Sequence, residues 1–399
     1  MEFKNIHILM LCLVAFFAMA GGALLAPVLP EMVEPLGTTE QNVALLMSVF
    51  TFSTAVFTLI LGHYIDSVDR KRILVPSLIL YGVTGLVSFF VADFPLLLIL
   101  RFLQGVGVAG MTSMAMLVIG DVYTGLDGVT AMSKISISFA LGSVFAPVIG
   151  GGLAMLGWNY AFLFYALSLP FAIVVITLLP ETKGQTDPGE HTGMIEALRC
   201  LGKLPVIYTI FMGFSIFFML FAMMIYVPFM LKSVFGYASG GSGLMLAIPG
   251  IACILLASRV GPLAGKYSLL MVIVAGFACV GLSMLFMPVL HSIAAVFLLL
   301  LLFGAGLVLA QTAIDVQIIQ ISPPASRGGV ISIHNCMKYV GQSASPIVLG
   351  IILVYFGLNA VFIAAGVFGL LIALTTYLMK KQFGGSSSHP GKDTGASTL

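Results

Sequence analysis

Residues Gly62–Arg72 read Gly-His-Tyr-Ile-Asp-Ser-Val-Asp-Arg-Lys-Arg, and this stretch lies between two long apolar runs. It places three cations and two acids in a connection that is too short to be a domain. An apolar hairpin with such a charged turn is not typical of a soluble core, where charged side chains are almost never fully buried. The stretch therefore predicts a loop between two helices that cross a membrane.

The composition of the whole chain also indicates a membrane protein. Of its 399 residues, 60% are apolar and only 8% are charged, whereas soluble domains carry about 25% charged residues. A net charge of +2 without a basic patch argues against a nucleic-acid partner. The sequence has no phosphate-binding loop, no catalytic constellation and no metal-ligand spacing among its Cys residues. We therefore expect no enzyme, no cofactor and no metal.

Twelve apolar runs are long enough to span a bilayer, which takes about 20 mostly apolar residues. They lie near residues 7–30, 41–62, 73–92, 95–120, 130–153, 158–180, 205–230, 242–260, 268–290, 293–320, 329–354 and 358–380. The first run continues to Val28 and is too long for a signal peptide. We predict that it is the first spanning helix.

The Lys and Arg residues are distributed unevenly between the two sides of the membrane. With twelve spans, both termini lie on one side. Of the 17 Lys and Arg residues, 14 fall on that side, only Lys232 falls on the other, and Arg101 and Lys338 lie within runs. Because basic loops face the cytoplasm, this bias predicts a multi-pass protein of the plasma (inner) membrane with both termini in the cytoplasm.

Gly and Pro residues recur in order in the two halves of the chain. Gly105 and Gly304 are 199 positions apart, and so are Pro147 and Pro346. The recurrence predicts an all-α membrane protein of twelve transmembrane helices in two pseudosymmetric six-helix halves. The predicted boundaries are 1–180 for the N-terminal half, 181–204 for a cytoplasmic linker, 205–381 for the C-terminal half and 382–399 for a disordered tail.

The charged stretch between the second and third runs resembles a loop of the major facilitator superfamily, whose pattern is Gly-x-Leu-Ala-Asp-Arg-x-Gly-Arg-Lys. Gly62, Asp66, Arg70 and Lys71 match this pattern, whereas Asp69 stands where the family prefers Gly. The match places the stretch between the second and third helices of that fold.

Three further stretches carry the same resemblance. Arg101–Gly107 is similar to the pattern Arg-x-x-Gln-Gly-x-Gly, and Ala26–Glu31 is similar to the end of the first helix in the drug-efflux branch. Gly142–Gly151 looks like the antiporter pattern Gly-x-x-x-Gly-Pro-x-x-Gly-Gly, with Ala146 in place of one Gly. The resemblance covers residues 1–380. It implies a secondary active transporter that exports small amphipathic compounds in exchange for protons by alternating access.

The resemblance also implies roles for two groups of residues. The first is a conformational latch between the halves, in which Asp121 is the partner of Arg70; its members are Gly62, Asp66, Arg70 and Asp121. The alternative to a latch is that these charges only set the orientation of the chain in the membrane. The second is a helix bend, for which simple tight packing is the alternative; its members are Gly142, Pro147, Gly150 and Gly151.

Charged side chains near or within the apolar runs are candidates for proton coupling, because a charge in a membrane is costly and usually functional or paired. The resemblance links Arg101 to proton handling, and we expect it to act on a neighbouring acid or water because Arg does not deprotonate. Asp315 is the only acid clearly within a run, where burial favours proton binding. The alternative is an interfacial acid paired with Arg327 or Lys266. Glu31, at the outer end of the first run, is a third candidate.

Lys338 lies about nine residues into the eleventh run, close to the midplane. We expect it to face a cavity, where it binds substrate or pairs with Asp315. A central Lys favours an anionic, zwitterionic or neutral amphiphile. His334 lies at a nearby polar position and could line the same cavity, but we interpret it as a packing or interfacial residue rather than a ligand. The other residues expected to line the cavity are polar: Asn335, Gln342, Gln311 and Gln104.

Three other functions stay open on the sequence alone. They are an exporter of a specific metabolite or sugar, a proton-coupled uptake symporter, and a membrane receptor that does not transport. For the transporter that the resemblance implies, we expect a monomer whose partners are a small molecule, protons and the lipid bilayer.

Overall fold

A computed structural model of the protein describes residues 5–64, 69–123, 125–181, 199–290, 292–323 and 326–380. Within these residues, 12 helical spans are long and apolar enough to cross a membrane, and no strand occurs. Spans 1 to 6 cover Asn5–Met32, Glu40–Leu61, Arg70–Phe90, Phe94–Val122, Gly125–Ala154 and Tyr160–Leu178. Spans 7 to 12 cover Leu204–Phe235, Ser239–Tyr267, Leu269–Phe286, Ile293–Ile321, Arg327–Phe356 and Leu358–Leu378.

The helix of span 2 continues beyond its apolar part to Tyr64. Three other spans, 1, 6 and 8, are each made of two helices separated by a short break. Span 1 consists of helices Asn5–Ala23 and Leu29–Met32 with a 3-10 turn, Ala26–Val28, between them. Span 6 consists of helices Tyr160–Ala166 and Ser168–Leu178. Span 8 consists of helices Ser239–Leu256 and Val260–Tyr267, joined by the 3-10 turn Ala257–Arg259. These breaks occur where Pro or consecutive turns interrupt the backbone hydrogen bonds.

The packing of the spans repeats between the two halves of the chain. Span 1 packs on span 5, span 2 on span 4, and span 3 on spans 4 and 6. The same pairs recur six spans later in the chain: span 7 packs on span 11, span 8 on span 10, and span 9 on spans 10 and 12. The prediction of twelve helices in two pseudosymmetric halves is therefore confirmed. The proposed domain boundaries stay a prediction, because residues 182–198 of the linker and the whole of the predicted tail, 382–399, lie outside the described residues.

The two halves meet along spans 2 and 11 and along spans 5 and 8. We call the end of the bundle that holds Asn5 and Leu378 the proximal end, and the opposite end the distal end. At the distal end, the end of span 1 also contacts spans 7 and 8. The end of span 1 thus adds to the contact between the halves at the distal end.

Glycines allow this distal contact to be close. A methyl group on Gly151 in span 5 would lie 3.0 Å from the carbonyl carbon of Ser239, and one on Gly243 would lie 3.1 Å from that of Pro147. Carbon atoms in contact normally lie about 3.5–4.0 Å apart, so neither position has room for a side chain. Spans 5 and 8 therefore pack backbone against backbone.

Candidate substrate and proton site

An ion pair between spans 10 and 11 forms the centre of the candidate site. Nζ of Lys338 donates to Oδ1 of Asp315 over 2.6 Å. The side chain of Asp315 is 39% exposed, whereas that of Lys338 is 13% exposed. A molecule that enters from the open side of this pair therefore reaches the carboxylate more easily than the ammonium.

His334 joins the pair from the turn of span 11 that precedes Lys338. Its Nε2 lies 3.1 Å from Oδ1 of Asp315, and the residue is only 1% exposed. Residues four apart share one face of a helix, so His334 and Lys338 both reach the same acid. Our sequence interpretation placed His334 near the cavity but favoured a packing or interfacial role; the spacing of four between His and Lys in an apolar helix was the signal for its place beside Lys338.

Span 7 forms the third wall of the site. A methyl group on Gly213 would lie 2.9 Å from Nδ1 of His334, so the imidazole occupies the space that a side chain at position 213 would need. One turn later, the ring centroid of Phe217 lies 5.5 Å from Nζ of Lys338. An aromatic face at this distance stabilises an ammonium. The site thus combines one acid, one ammonium and one imidazole with an aromatic wall.

The remaining predicted cavity residues divide between this site and another part of the molecule. Gln311 lies one turn before Asp315 and is half-buried, and Gln342 lies one turn after Lys338 and is buried. Asn335 is exposed. Gln104 belongs elsewhere, because its carbonyl accepts a hydrogen bond from Arg101 in the N-terminal half. The structure therefore brings Gln311 and Gln342 near the ion pair but not Gln104.

Arg101 is fully buried among neutral groups of the N-terminal half. Besides Gln104, its guanidinium donates to the carbonyl of Gly21 over 3.3 Å and lies 3.8 Å from the sulfur of Met47. The ring centroids of Phe50 and Tyr165 lie 4.7 and 5.6 Å from its Cζ. Within the described residues no carboxylate comes within ion-pair distance of Arg101. Its assignment to proton coupling stays a prediction, and the acid that it was expected to influence is not among its contacts.

The cytoplasmic latch residues are placed only in part. Nε of Arg70 donates to Oδ2 of Asp121 over 2.8 Å, and the Arg70 side chain is 3% exposed. The pair joins spans 3 and 4, so both members belong to the N-terminal half. Gly62 lies near the proximal end of the helix of span 2, and Asp66 lies outside the described residues. A latch role for this group stays a prediction.

Glu31 lies at the distal contact between the halves. Its carboxylate is 3.5 Å from Nζ of Lys232 in span 7 and accepts a hydrogen bond from the backbone N–H of Ser239 over 3.3 Å. Lys232 also donates to the carbonyl of Pro30 over 2.8 Å. This cluster links the end of span 1 to spans 7 and 8. Glu31 is therefore placed to hold the distal end closed, and its predicted role in proton coupling is untested.

The predicted bend residues of span 5 face three different neighbours. Pro147 lies inside a helix that continues from Gly125 to Ala154. A methyl group on Gly142 would lie 2.8 Å from Cβ of Met19 in span 1, and one on Gly150 would lie 2.8 Å from the carbonyl carbon of Leu24. Together with the contact of Gly151 to span 8, these distances describe tight packing. Whether the segment also bends during transport stays a prediction.

A cavity of about 640 Å³ lies elsewhere, at the distal end between the two halves. It is lined by residues 39–42 of span 2 and its approach, Ser233, and residues 353, 354, 357 and 358. It is separate from Asp315, which lies in the proximal part of span 10. In the part of the chain that the structure describes, no group of three His, Cys, Asp or Glu side chains could hold a metal ion.

Comparisons with known proteins agree with this architecture. The family model of the Major Facilitator Superfamily matches residues 11–346, and the chain belongs to this family. It is 27% identical over 341 residues to the bacillibactin exporter of Bacillus subtilis (strain 168), covering 82% of this chain and 84% of that protein. It is 22% identical over 378 residues to the multidrug efflux protein YfmO of the same organism, covering 94% and 92%.

A solved structure shows the same fold. The bacterial homologue of the human lysosomal transporter Spinster, in an inward-facing and unoccupied conformation, matches with a TM-score of 0.82 at 16% identity, covering 97% of this chain and 99% of that one. The chain is thus an integral multi-pass membrane transporter and not an enzyme, as the sequence predicted.

Proposed function

We propose that this transporter exports small amphipathic compounds in exchange for protons by alternating access, with the charged residues of its site on the C-terminal half. The observation that carries the proposal is the ion pair of Asp315 and Lys338, which joins two spans at a partly exposed position. Ionisable side chains in membrane spans commonly mark proton and substrate pathways. The names of the relatives, a multidrug efflux protein and a bacillibactin exporter, support export as the direction.

Exchange requires that the proton and the substrate exclude each other, and Asp315 is suited to this. A proton on its carboxylate removes the negative charge that holds Lys338 and that a polar group of a substrate would bind. A substrate that occupies the carboxylate in turn blocks the proton. Because each ligand binds a different state of the same group, the free energy of proton entry can drive the substrate outward.

The distal contacts support a state in which the site is reached from the proximal end. Glu31, Lys232 and the close packing of Gly151 join the halves at the distal end. The bias of Lys and Arg residues assigns the proximal end to the cytoplasm, so substrate would enter from inside the cell. Cysteines introduced for Leu126 at the proximal end and Leu156 at the distal end, both highly exposed, test this orientation. With an impermeant maleimide on intact cells, we expect labelling at position 156 only.

Purified protein in liposomes that contain a pH-sensitive dye tests the exchange. A panel of lipophilic cations, anions and neutral metabolites is added under an imposed proton gradient. We expect substrate-dependent proton movement in the wild type and none in Asp315→Asn, which keeps the shape but cannot bind the proton. Asp93→Asn is the matched control, because Asp93 is exposed and caps span 4 far from the site. Flux that is equal with and without a proton gradient would refute the coupling.

Export of one specific metabolite is the second candidate. It is favoured by the match to the bacillibactin exporter, which covers more than four-fifths of both chains. The same liposome panel separates the two candidates, since movement of a single compound class supports the specific exporter. Accumulation of substrate inside cells would instead indicate an uptake symporter, and ligand binding without flux would indicate a receptor.

A further inference from the structure

We propose that His334 is a positioning residue: its neutral imidazole donates a hydrogen bond that holds Asp315 in place. We propose also that Gly213 is required because it leaves room for the imidazole. This inference rests on the proposed role of Asp315 as the proton acceptor. It assigns roles to two residues, on spans 11 and 7, that do not themselves carry the proton.

Two donors meet at one oxygen of Asp315, and they differ in how firmly they are held. Lys338 and His334 both bind Oδ1. Lys338 reaches it through a flexible four-carbon stem, whereas the His334 ring is buried between spans. When Asp315 takes up a proton, the charge that attracts Lys338 is lost. The imidazole N–H can still donate to the carbonyl oxygen of the neutral acid, so His334 keeps the group oriented in both protonation states.

The second ring nitrogen indicates that His334 does not exchange the proton itself. A carboxylate only accepts hydrogen bonds, so Nε2 must carry the hydrogen that it donates to Asp315. In the neutral ring Nδ1 then carries the lone pair, and this buried atom has no hydrogen-bond partner among the described residues. A proton added at Nδ1 would be buried without an acceptor, which is costly. The ring is therefore a donor of fixed tautomer.

Gly213 explains how an imidazole fits at this depth. The methyl group of an alanine at position 213 would lie 2.9 Å from Nδ1 and closer still to Cε1 of the ring. Since contact distances to carbon are about 3.5 Å or more, the ring would have to move away from span 7. Its Nε2 would then lose the 3.1 Å contact with Asp315. Glycine at position 213 thus serves the geometry of a residue on another span.

Other charges do not complicate the titration of this cluster. Among the described residues, the charged groups that act on Asp315 and His334 are each other and Lys338. Spans 2, 7, 10 and 12 pack against span 11, and within their described residues only Asp315 contributes a charged group to the cluster. A change in the pH profile of a His334 variant can therefore be assigned to the bond with Asp315.

The test measures substrate-dependent proton movement in liposomes as a function of pH. In His334→Ala the charged carboxylate loses a donor, so we expect the midpoint to move toward alkaline pH by about one unit, a tenfold change in proton affinity. His334→Gln keeps an N–H donor and should stay near the wild type. Gly213→Ala should reproduce the shift, whereas Gly265→Ala, where a methyl group meets open space, should not.

Two outcomes would overturn the inference. If His334→Gln abolishes proton movement as Asp315→Asn does, the imidazole carries the proton. If His334→Ala leaves the midpoint unchanged, the ring does not position the acid, and this variant decides the matter even where Gly213→Ala fails to fold. Proton movement that persists in Asp315→Asn would instead refute the proposed function itself. In Gly213→Ala/His334→Ala, the second change should add no further shift, because the ring that the methyl group displaces is absent.

Discussion

Adjacent glycines in span 5 provide a matched pair of variants that tests how the distal end closes. Gly151 packs against the backbone of Ser239 in span 8, whereas a methyl group on Gly152 would meet nothing within 4 Å. Gly151→Ala should therefore push the two halves apart, and Gly152→Ala should not. Both changes raise helix propensity by about the same amount, up to roughly 1 kcal/mol, so this effect cancels in the comparison.

The size of the effect follows from the distances at the contact. The new methyl carbon would lie 3.0 Å from the carbonyl carbon of Ser239, against about 3.5–4.0 Å for carbon atoms in contact. The carbonyl oxygen of Ser239 lies closer still to the new methyl carbon, so spans 5 and 8 must separate by about 1 Å. Overpacking of this kind costs about 1–3 kcal/mol. Because the cost applies only while the distal end is closed, the population of the distally open state should rise by roughly 5- to 150-fold.

Spin labels on the two halves measure this population. Leu156 and Phe356 lie at the distal end of the N-terminal and C-terminal halves, and both are highly exposed, so cysteines there accept labels without disturbing the core. We expect a longer distance component to grow in Gly151→Ala and to stay at the wild-type level in Gly152→Ala. Equal distance distributions in the two variants would show that the contact with Ser239 does not limit distal opening.

Three further predictions concern charges at other places in the fold. Asp121→Asn removes the carboxylate to which Arg70 donates over 2.8 Å and should lower the free energy of unfolding by about 1–3 kcal/mol; thermal unfolding in detergent measures this. Lys232→Met removes a half-exposed pair with Glu31 and should open the distal end only slightly, by about 1 kcal/mol or less in the spin-label assay. Arg101→Met tests the predicted part of Arg101 in proton coupling, and we expect proton movement in liposomes to fall; undiminished movement from a protein with unchanged melting temperature would contradict the assignment.

The sequence predicted the parts of the fold that depend on short-range patterns. Apolar runs of sufficient length defined the twelve spans, and the recurrence of Gly and Pro defined the two halves. The sequence also offered Asp315 as a partner for Lys338, because few charged residues lie within runs and they tend to pair. Periodicity and composition were sufficient for these conclusions, since each depends on residues that are close in sequence or repeated in order.

Side-chain contacts between distant spans could not be read from the sequence. Gly213 and His334 are far apart in the chain, and only the packing of span 7 on span 11 shows that one makes room for the other. Glu31 meets Lys232 across 201 positions. Arg101 was expected to act on an acid, but its surroundings are carbonyl, sulfur and aromatic groups. A neutral environment leaves no charge pattern that a sequence could display.

The surroundings of Arg101 have a consequence for how the chain is inserted into the membrane during synthesis. The groups that stabilise this cation come from spans 1, 2, 4 and 6, and Tyr165 on span 6 is the last of them to be synthesised. Until span 6 enters the bilayer, span 4 carries a charge whose stabilising groups are incomplete. An Arg at the centre of a span costs about 2.5–3.5 kcal/mol to insert, which is an upper bound for Arg101 because it lies nearer to the start of span 4, Phe94. Nascent chains that end after span 5 should therefore be poorly retained in the membrane, whereas chains that include span 6 should be retained.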